Sequence, residues 1–302
     1  MAFLHAHSEG EGVIRVLEEV FLHGLIDTLK LVPFLFLTYL LMEFIEHRSA
    51  DKTQRLVRRA GALGPVIGGA LGAVPQCGFS AAAANLYAGR VITVGTLVAV
   101  FLSTSDEMLP ILITGDIPVT TVLLILLYKA AAGILVGFSL DLALRLLNRG
   151  REEINIDAIC DEENCHCERG ILYSAIHHTL TISLFVLLVT FCINGLVLAV
   201  GEERLGAAVS SLPVLSHIIA AIVGLIPNCA ASVVLSTLCA EGIISSGVMM
   251  AGLFSNAGVG LLVLFRVNKK LRENLLIVAL LLAVGVVFGL LGDLIFPPSM
   301  FR

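Results

Sequence analysis

The chain has 302 residues, of which 57% are hydrophobic and only 14% charged, and its mean hydropathy is +0.96. A soluble domain carries roughly 25% charged residues, so this chain cannot cover a water-facing surface. A net charge of −5 leaves no basic excess for nucleic acid. The composition therefore excludes a soluble enzyme, a disordered chain and a nucleic-acid binder, and predicts an all-α, polytopic helical membrane protein whose principal partner is the lipid bilayer.

In chain order, Met1–Gly12 has no basic start and no apolar stretch ending in small residues. It reads as a solvated tail rather than a signal peptide. A first long helix is expected over Val13–Glu46, carrying His23, Asp27, Lys30 and Glu43. His23 and Asp27 are spaced i,i+4 and Lys30 follows at i+7, so the three share one face. Ionisable groups inside membrane helices are costly and by default mark a pathway. Asp27 with Lys30 also fits a simple neutralising ion pair, and Glu43 fits a side chain that snorkels to the interface.

The next loop, Glu46–Ala60, holds Arg48, Lys52, Arg55, Arg58 and Arg59. Two short segments follow, Ala60–Val74 and Gly78–Gly89, on either side of Pro75-Gln76-Cys77. About 15 helical residues rise about 22 Å against a hydrocarbon core of about 30 Å, so neither segment spans. A re-entrant hairpin with its tip at Pro75-Gln76-Cys77 fits these lengths, and so do three short tilted crossings. After the apolar run Val91–Leu102 comes Ser103-Thr104-Ser105-Asp106-Glu107. Hydroxyls followed by two carboxylates near a helix break suit a hard cation such as Mn²⁺. The plainer alternative places Asp106 and Glu107 in the aqueous layer.

The longest charged interruption, Arg149–Gly170, contains Cys160, Cys165, His166 and Cys167 among acids. These are ligand types for a soft or borderline metal, although the spacing matches no standard zinc knuckle and an inert acidic linker is the alternative. Thiols in the cytoplasm stay reduced, so no disulfide is expected. The linker divides the chain into 1–148, 149–170 and 171–302.

The two halves are related. At an offset of 152 residues, Val74–Ser80 (VPQCGFS) falls on Ile226–Ser232 (IPNCAAS), and Gly72, Gly95 and Ser103 fall on Gly224, Gly247 and Ser255. At an offset of 151, Asp27 falls on His178, which follows His177 in the corresponding helix of the second half. Pro227-Asn228-Cys229 is then the counterpart tip. Proline stops a helix from running on, Gln76 and Asn228 supply amide and carbonyl groups at the break, and the following helix starts offer positive dipole ends.

Loop charge sets the expected topology. Basic Glu46–Ala60 corresponds to Gly201–Gly206 (GEERLG), and basic Arg266–Arg272 (RVNKKLR) corresponds to the uncharged-to-acidic Thr114–Pro118 (TGDIP). The positive-inside bias therefore runs in opposite senses in the two halves, as expected for inverted-topology repeats with broken or re-entrant helices. The N-terminus is expected outside and the central linker in the cytoplasm, in a multi-pass protein of the inner (plasma) membrane.

Several motifs resemble a known family. His23-x3-Asp27-Thr28-x-Lys30-x2-Pro33-Phe34-Leu35-Phe36, Glu43-x2-Glu46-His47, the two Pro-polar-Cys tips and Ser-Thr-Ser-Asp-Glu are similar to those of the putative ten-transmembrane heavy-metal exporters. That family is described variously as arsenic efflux permeases or manganese transporters, and the resemblance runs from about Leu22 to Phe296. It implies export of a metal or metalloid by a secondary carrier.

The combined expectation is a non-enzymatic exporter of a divalent transition metal, Mn²⁺ first, working by alternating access against protons. Asp27, His178, Asp106 and Glu107 are the expected ligands or titratable groups, with Gln76 and Asn228 completing a midplane site. His23, His177 and Glu43 are expected in proton relay. Thiolates select soft ions, so Cys77 and Cys229 as ligands would favour an arsenical or Zn²⁺. A small-organic-anion carrier and a membrane metalloenzyme are weaker alternatives. The surplus of intramembrane acids opposes the first, and the absence of H-E-x-x-H opposes the second. No cofactor is expected beyond the transported ion, and self-association is left open.

Overall fold

A computed structural model of the chain describes residues 22, 25–26, 28–29, 32–33, 35–37, 39–40, 63–74, 77–104, 108–114, 117–147, 171–200, 215–227, 229–297 and 300, with backbone alone at 77, 110, 114, 171, 174, 190, 193–200, 229 and 230. Among the described residues there is no strand, and those between 22 and 40 are helical. The helices that follow are α1 (Gly64–Gly72), α2 (Cys77–Ala88), α3 (Val94–Ser103), α4 (Met108–Thr114) and α5 (Val119–Leu146). After the linker come α6 (Ile171–Val200), α7 (Leu215–Gly224), α8 (Cys229–Ala240), α9 (Ser246–Ser255), α10 (Val259–Val267) and α11 (Leu271–Ile295).

Helix length separates two kinds of element. The 28 residues of α5 and the 25 of α11 rise about 42 and 37 Å, enough to cross a hydrocarbon core of about 30 Å. Leu123, Leu124 and Leu127 on α5 and Leu275 and Leu276 on α11 are exposed, as lipid-facing leucines must be. By contrast α1, α2 and α3, with 9, 12 and 10 residues, each cover about half of that thickness. The broken pair α9–α10, apolar and long enough to cross when taken together, is almost wholly buried. Short and broken helices form the centre, and long ones shield it.

The local geometry of the first half recurs 152 residues later. Thr93 caps α3 by accepting the Thr96 N–H, and Ser245 caps α9 by accepting the Val248 N–H. The turn after α2 has Gly89, Arg90 and Val91 N–H groups bonded to the Asn85, Tyr87 and Leu86 carbonyls. The turn after α8 repeats it with Glu241, Gly242 and Ile243 bonded to Thr237, Cys239 and Leu238. Both turns place one residue in the left-handed region, Arg90 at φ 58° and Gly242 at φ 76°. Glycine adopts that conformation freely, whereas arginine is strained there.

Packing within each half is also matched. α3 lies on α5 and α9 on α11, and α1 and α7 rest on those pairs. The long and short helices approach closely at two glycines. A side chain at Gly95 would strike the Gly137 carbonyl and the Asp141 carboxylate, and one at Gly247 would strike the Gly289 carbonyl and the Asp293 carboxylate. Small residues let membrane helices pack backbone to backbone, where apolar burial against lipid gives little drive.

Contacts also fix directions. Gly64 faces Thr96, while Gly72 faces Val100 and Ser103, so α1 runs beside α3 in the same sense. α2 returns to the turn that starts α3, and α1–α2 is therefore a hairpin whose open end lies at Arg90. Thr121 near the start of α5 donates to the Met300 carbonyl beyond α11, and the Tyr128 hydroxyl donates to the Phe288 carbonyl. Hence α5 and α11 run in opposite directions, and so do α3 and α9, which pack against them. The halves interlock, because α2 seats on α10, α8 on α4 and α3 on α9.

The glycine crossings give a test by thermal melting in detergent. Gly247→Leu should destabilise the protein by about 1–3 kcal/mol, the usual cost of forced overpacking. Gly242→Asn, at an exposed turn with nothing within 4 Å of a built Cβ, should leave the melting temperature nearly unchanged.

Candidate functional site

Breaking a helix at bilayer depth leaves backbone groups that must find partners inside the protein. At the end of α3, the Ser103 hydroxyl donates to the Ala99 carbonyl at 2.7 Å and the Thr104 hydroxyl to the Val100 carbonyl at 2.8 Å. At the end of α9, the Ser255 hydroxyl donates to the carbonyls of Ala251 at 3.1 Å and Leu281 at 3.3 Å. The Asn256 side-chain oxygen accepts the Gly258 N–H at 2.8 Å, and Gly258, at φ 54°, turns the chain into α10. All four polar side chains are buried.

Beside the second break lies a charge that the sequence reading passed over. Lys129, in the middle of α5, is fully buried. Its ammonium donates to the Leu253 carbonyl at 2.8 Å and sits 5.5 Å from the centre of the Phe254 ring. In an unbroken helix that carbonyl would be bonded four residues on. A cation at a helix C-terminus is also favoured by the helix dipole.

A second polar cluster joins the N-terminal helix, α2 and α6. His178 is buried and stacks on Tyr39 with ring centres 5.0 Å apart. The Tyr39 hydroxyl donates to the Asn85 side-chain oxygen at 3.0 Å, with both residues buried. Among the described residues, the Asn85 side-chain nitrogen has no acceptor. His177, the neighbour of His178, is exposed. Their rings lie edge to face at 6.4 Å, so only one of the pair points into the protein.

Two matched carboxylates anchor the starts of the short helices. Asp141 accepts the Gly95 N–H at 3.0 Å and the Thr93 hydroxyl at 2.7 Å. Asp293 accepts the Gly247 N–H at 2.7 Å and shares a 2.9 Å hydrogen bond with the buried His217 ring. Negative charge at a helix N-terminus is stabilising, and charge-assisted bonds to backbone N–H groups are among the stronger ones. Asp141 and Asp293 lie 152 residues apart, so the repeat offset contained the signal that finds them.

At the open end of the α1–α2 hairpin, Glu273 accepts from both the Tyr87 hydroxyl and the Arg90 guanidinium at 3.0 Å, and Lys270 lies 3.6 Å from its other oxygen. Burial alone works against the Arg90 charge. The hydrogen bond from Arg90 to Glu273, with the nearby Tyr87 and Glu273 charges, more than offsets it and holds Arg90 above its ordinary range. The same contacts offset the backbone strain at Arg90. At the matched position, 152 residues before Glu273, stands the uncharged Thr121.

Of the other expected site residues, Cys77 and Cys229 are the first residues of α2 and α8, at matched places. Asp27, Gln76, Asn228, Asp106, Glu107, His23, Glu43, Cys160, Cys165, His166 and Cys167 lie outside the described residues, as do the side chains of Cys77 and Cys229. Among the described residues, no three His, Cys, Asp or Glu side chains converge as a metal site.

A family model described as "Putative, 10TM heavy-metal exporter" matches residues 17–203, more than half of the chain. No curated protein and no solved structure matches.

The buried cluster gives a measurable expectation. Tyr39→Phe removes the donor to Asn85 and leaves a buried amide oxygen unsatisfied, at a cost of about 1–3 kcal/mol. The thermal transition of the detergent-solubilised protein should fall accordingly, and an unchanged transition would show the Tyr39–Asn85 bond to be dispensable.

Proposed function

The chain belongs to the family of putative ten-transmembrane heavy-metal exporters, and from that membership we propose a two-repeat secondary carrier that exports Mn²⁺ by alternating access, in exchange for protons. The repeats are residues 1–148 and 171–302, joined by the linker 149–170. The observation that carries this reading is the interlocking of two antiparallel halves. Each half has a short hairpin helix seated on the broken helix of the other, α2 on α10 and α8 on α4. Buried hydroxyl, amide and carbonyl groups gather at the ends of α3 and α9, where the halves meet, and substrate sites in inverted-repeat carriers lie at such an interface.

Charge placement supports the orientation. Arg90 pairs with Glu273 at the start of α11, beside Arg266, Lys269, Lys270 and Arg272, and the Asp141–Gly95 bond brings Arg145 at the end of α5 to the same end. Among the described residues these are all the Lys and Arg side chains except Lys129. By the positive-inside rule this end is cytoplasmic. The first hairpin then enters from the cytoplasm and the second from outside, the N-terminus is external and the linker cytoplasmic.

The metal-binding roles are assigned from residue type and position. Asp106 and Glu107, next to the break that ends α3, supply hard oxygen ligands, as does Asp27, while His178 adds an imidazole. Gln76 and Asn228 at the hairpin tips complete the site. His23, Glu43 and His177 pass protons, and Cys160, Cys165, His166 and Cys167 collect metal on the cytoplasmic side. One observation favours a second reading. Cys77 and Cys229 open matched helices, and if both thiolates are ligands an arsenical or Zn²⁺ replaces Mn²⁺ as cargo.

Two measurements test this reading. In proteoliposomes, wild-type protein should carry Mn²⁺ in exchange for protons, and Asp27→Asn or Asp106→Asn should slow the flux by at least about tenfold, as expected for an intramembrane ionisable ligand. Absence of metal flux, or full flux in both variants, would reject the assignment. In a variant otherwise free of cysteine, Val91→Cys should react with a membrane-impermeant maleimide only from the cytoplasmic face. Labelling from outside would reject the entry side of the first hairpin.

A further inference from the structure

The two helix breaks are built alike but are completed differently. Gly133 on α5 lies against the Ala99 carbonyl and the Ser103 N–H at the end of α3. Gly285 on α11 lies against the Ala251 carbonyl and the Ser255 hydroxyl at the end of α9. One turn before each glycine comes a buried residue, Lys129 on α5 and Leu281 on α11. Lys129 crosses to the other half and places its ammonium on the Leu253 carbonyl at the end of α9. The residue matching Leu253 at the end of α3 is Phe101, and the residue matching Lys129 is an aliphatic side chain with no donor.

The ends of α3 and α9 both face inward with the negative pole of a helix dipole and with hydroxyl and carbonyl oxygens. Such oxygens suit an ammonium and a hard metal cation equally. At α9 the fold has supplied the cation itself, fully buried, bonded at 2.8 Å and backed by the Phe254 ring. Burying a lysine inside a membrane protein is costly and calls for a specific reason, and helix stability alone gives none, since among the described residues no Lys or Arg stands at the end of the counterpart helix.

We propose that the ammonium of Lys129 is a resident cation, occupying at the end of α9 the place that the transported cation takes at the end of α3. The carrier then has two related cation positions, one permanently filled by its own side chain and one exchangeable. A single metal ion moves per cycle, and the resident charge keeps the second break from binding another. The proposal rests on the exporter reading above for the identity of the moving ion, but not for the role of Lys129.

The test uses the full-length protein in detergent. Lys129→Met keeps the side-chain volume and vacates the position. Its melting temperature should fall in choline chloride and recover in sodium or ammonium chloride at equal ionic strength, while wild type melts alike in all three salts. Equal melting of Lys129→Met in the three salts would overturn the proposal. Conversely, Leu281→Lys should place a second ammonium at the end of α3 and weaken Mn²⁺ binding, read by calorimetry, by at least about tenfold through like-charge repulsion. Unchanged Mn²⁺ affinity in this variant would also overturn the proposal. Salt-specific recovery of Lys129→Met with no Mn²⁺ flux by wild type would reject manganese as cargo and retain the cation position.

Discussion

Unsatisfied backbone at bilayer depth is the constraint on which this architecture depends. Each helix that stops inside the membrane exposes carbonyls or N–H groups that water cannot reach, and each must be answered by a side chain or by another helix. The chain answers at both poles of its short helices. Asp141 and Asp293 accept the N–H groups of Gly95 and Gly247 at the starts of α3 and α9. At the other ends the Ser103, Thr104 and Ser255 hydroxyls bond back one turn to carbonyls that the helix already holds, and Lys129 donates to the Leu253 carbonyl, which the break deprives of its helical partner. The two carboxylate bonds are possible because Gly95 and Gly247 let the long helices come within backbone contact.

The two halves, alike in so much of their local geometry, differ at three places. At one end Arg90, Tyr87, Lys270 and Glu273 form a charged cluster, whereas the matched turn has Gly242 and its counterpart helix starts near Thr121. At the other end Asp293 recruits His217, while Asp141 relies on Thr93. In the centre, Lys129 on α5 corresponds to Leu281 on α11. Each of these differences falls at one end or one break.

Much of the fold was legible in the sequence because membrane insertion leaves a coarse record. The apolar runs marked the helices, and the short α2 and α8 begin at the cysteines of the Pro-Gln-Cys and Pro-Asn-Cys motifs. The offset of 152 aligned α2, α3 and α5 with α8, α9 and α11. The polar centre was less legible. Asp27, Asp106 and Glu107 were singled out as charges in apolar runs, yet Lys129 and Asp141 satisfy the same criterion within α5 and were passed over. Asn85 and Tyr39 carry no charge, and in an apolar helix neither residue type distinguishes a buried bond from an interfacial one.

By itself the sequence determined that the chain lives in lipid, that it is helical, and that its charge is concentrated in loops. Those properties follow from residue-by-residue transfer between water and hydrocarbon, which does not depend on neighbours distant in the chain. Tertiary structure alone decided which polar groups meet. Lys129 reaches a carbonyl 124 positions away, Tyr87 and Arg90 reach Glu273 more than 180 positions away, and α2 packs more extensively on α10 of the other half than on α3 of its own. Such pairings arise when two antiparallel halves interlock, and the physical reason is that buried donors and acceptors find partners by spatial proximity, which separation along the chain does not reveal.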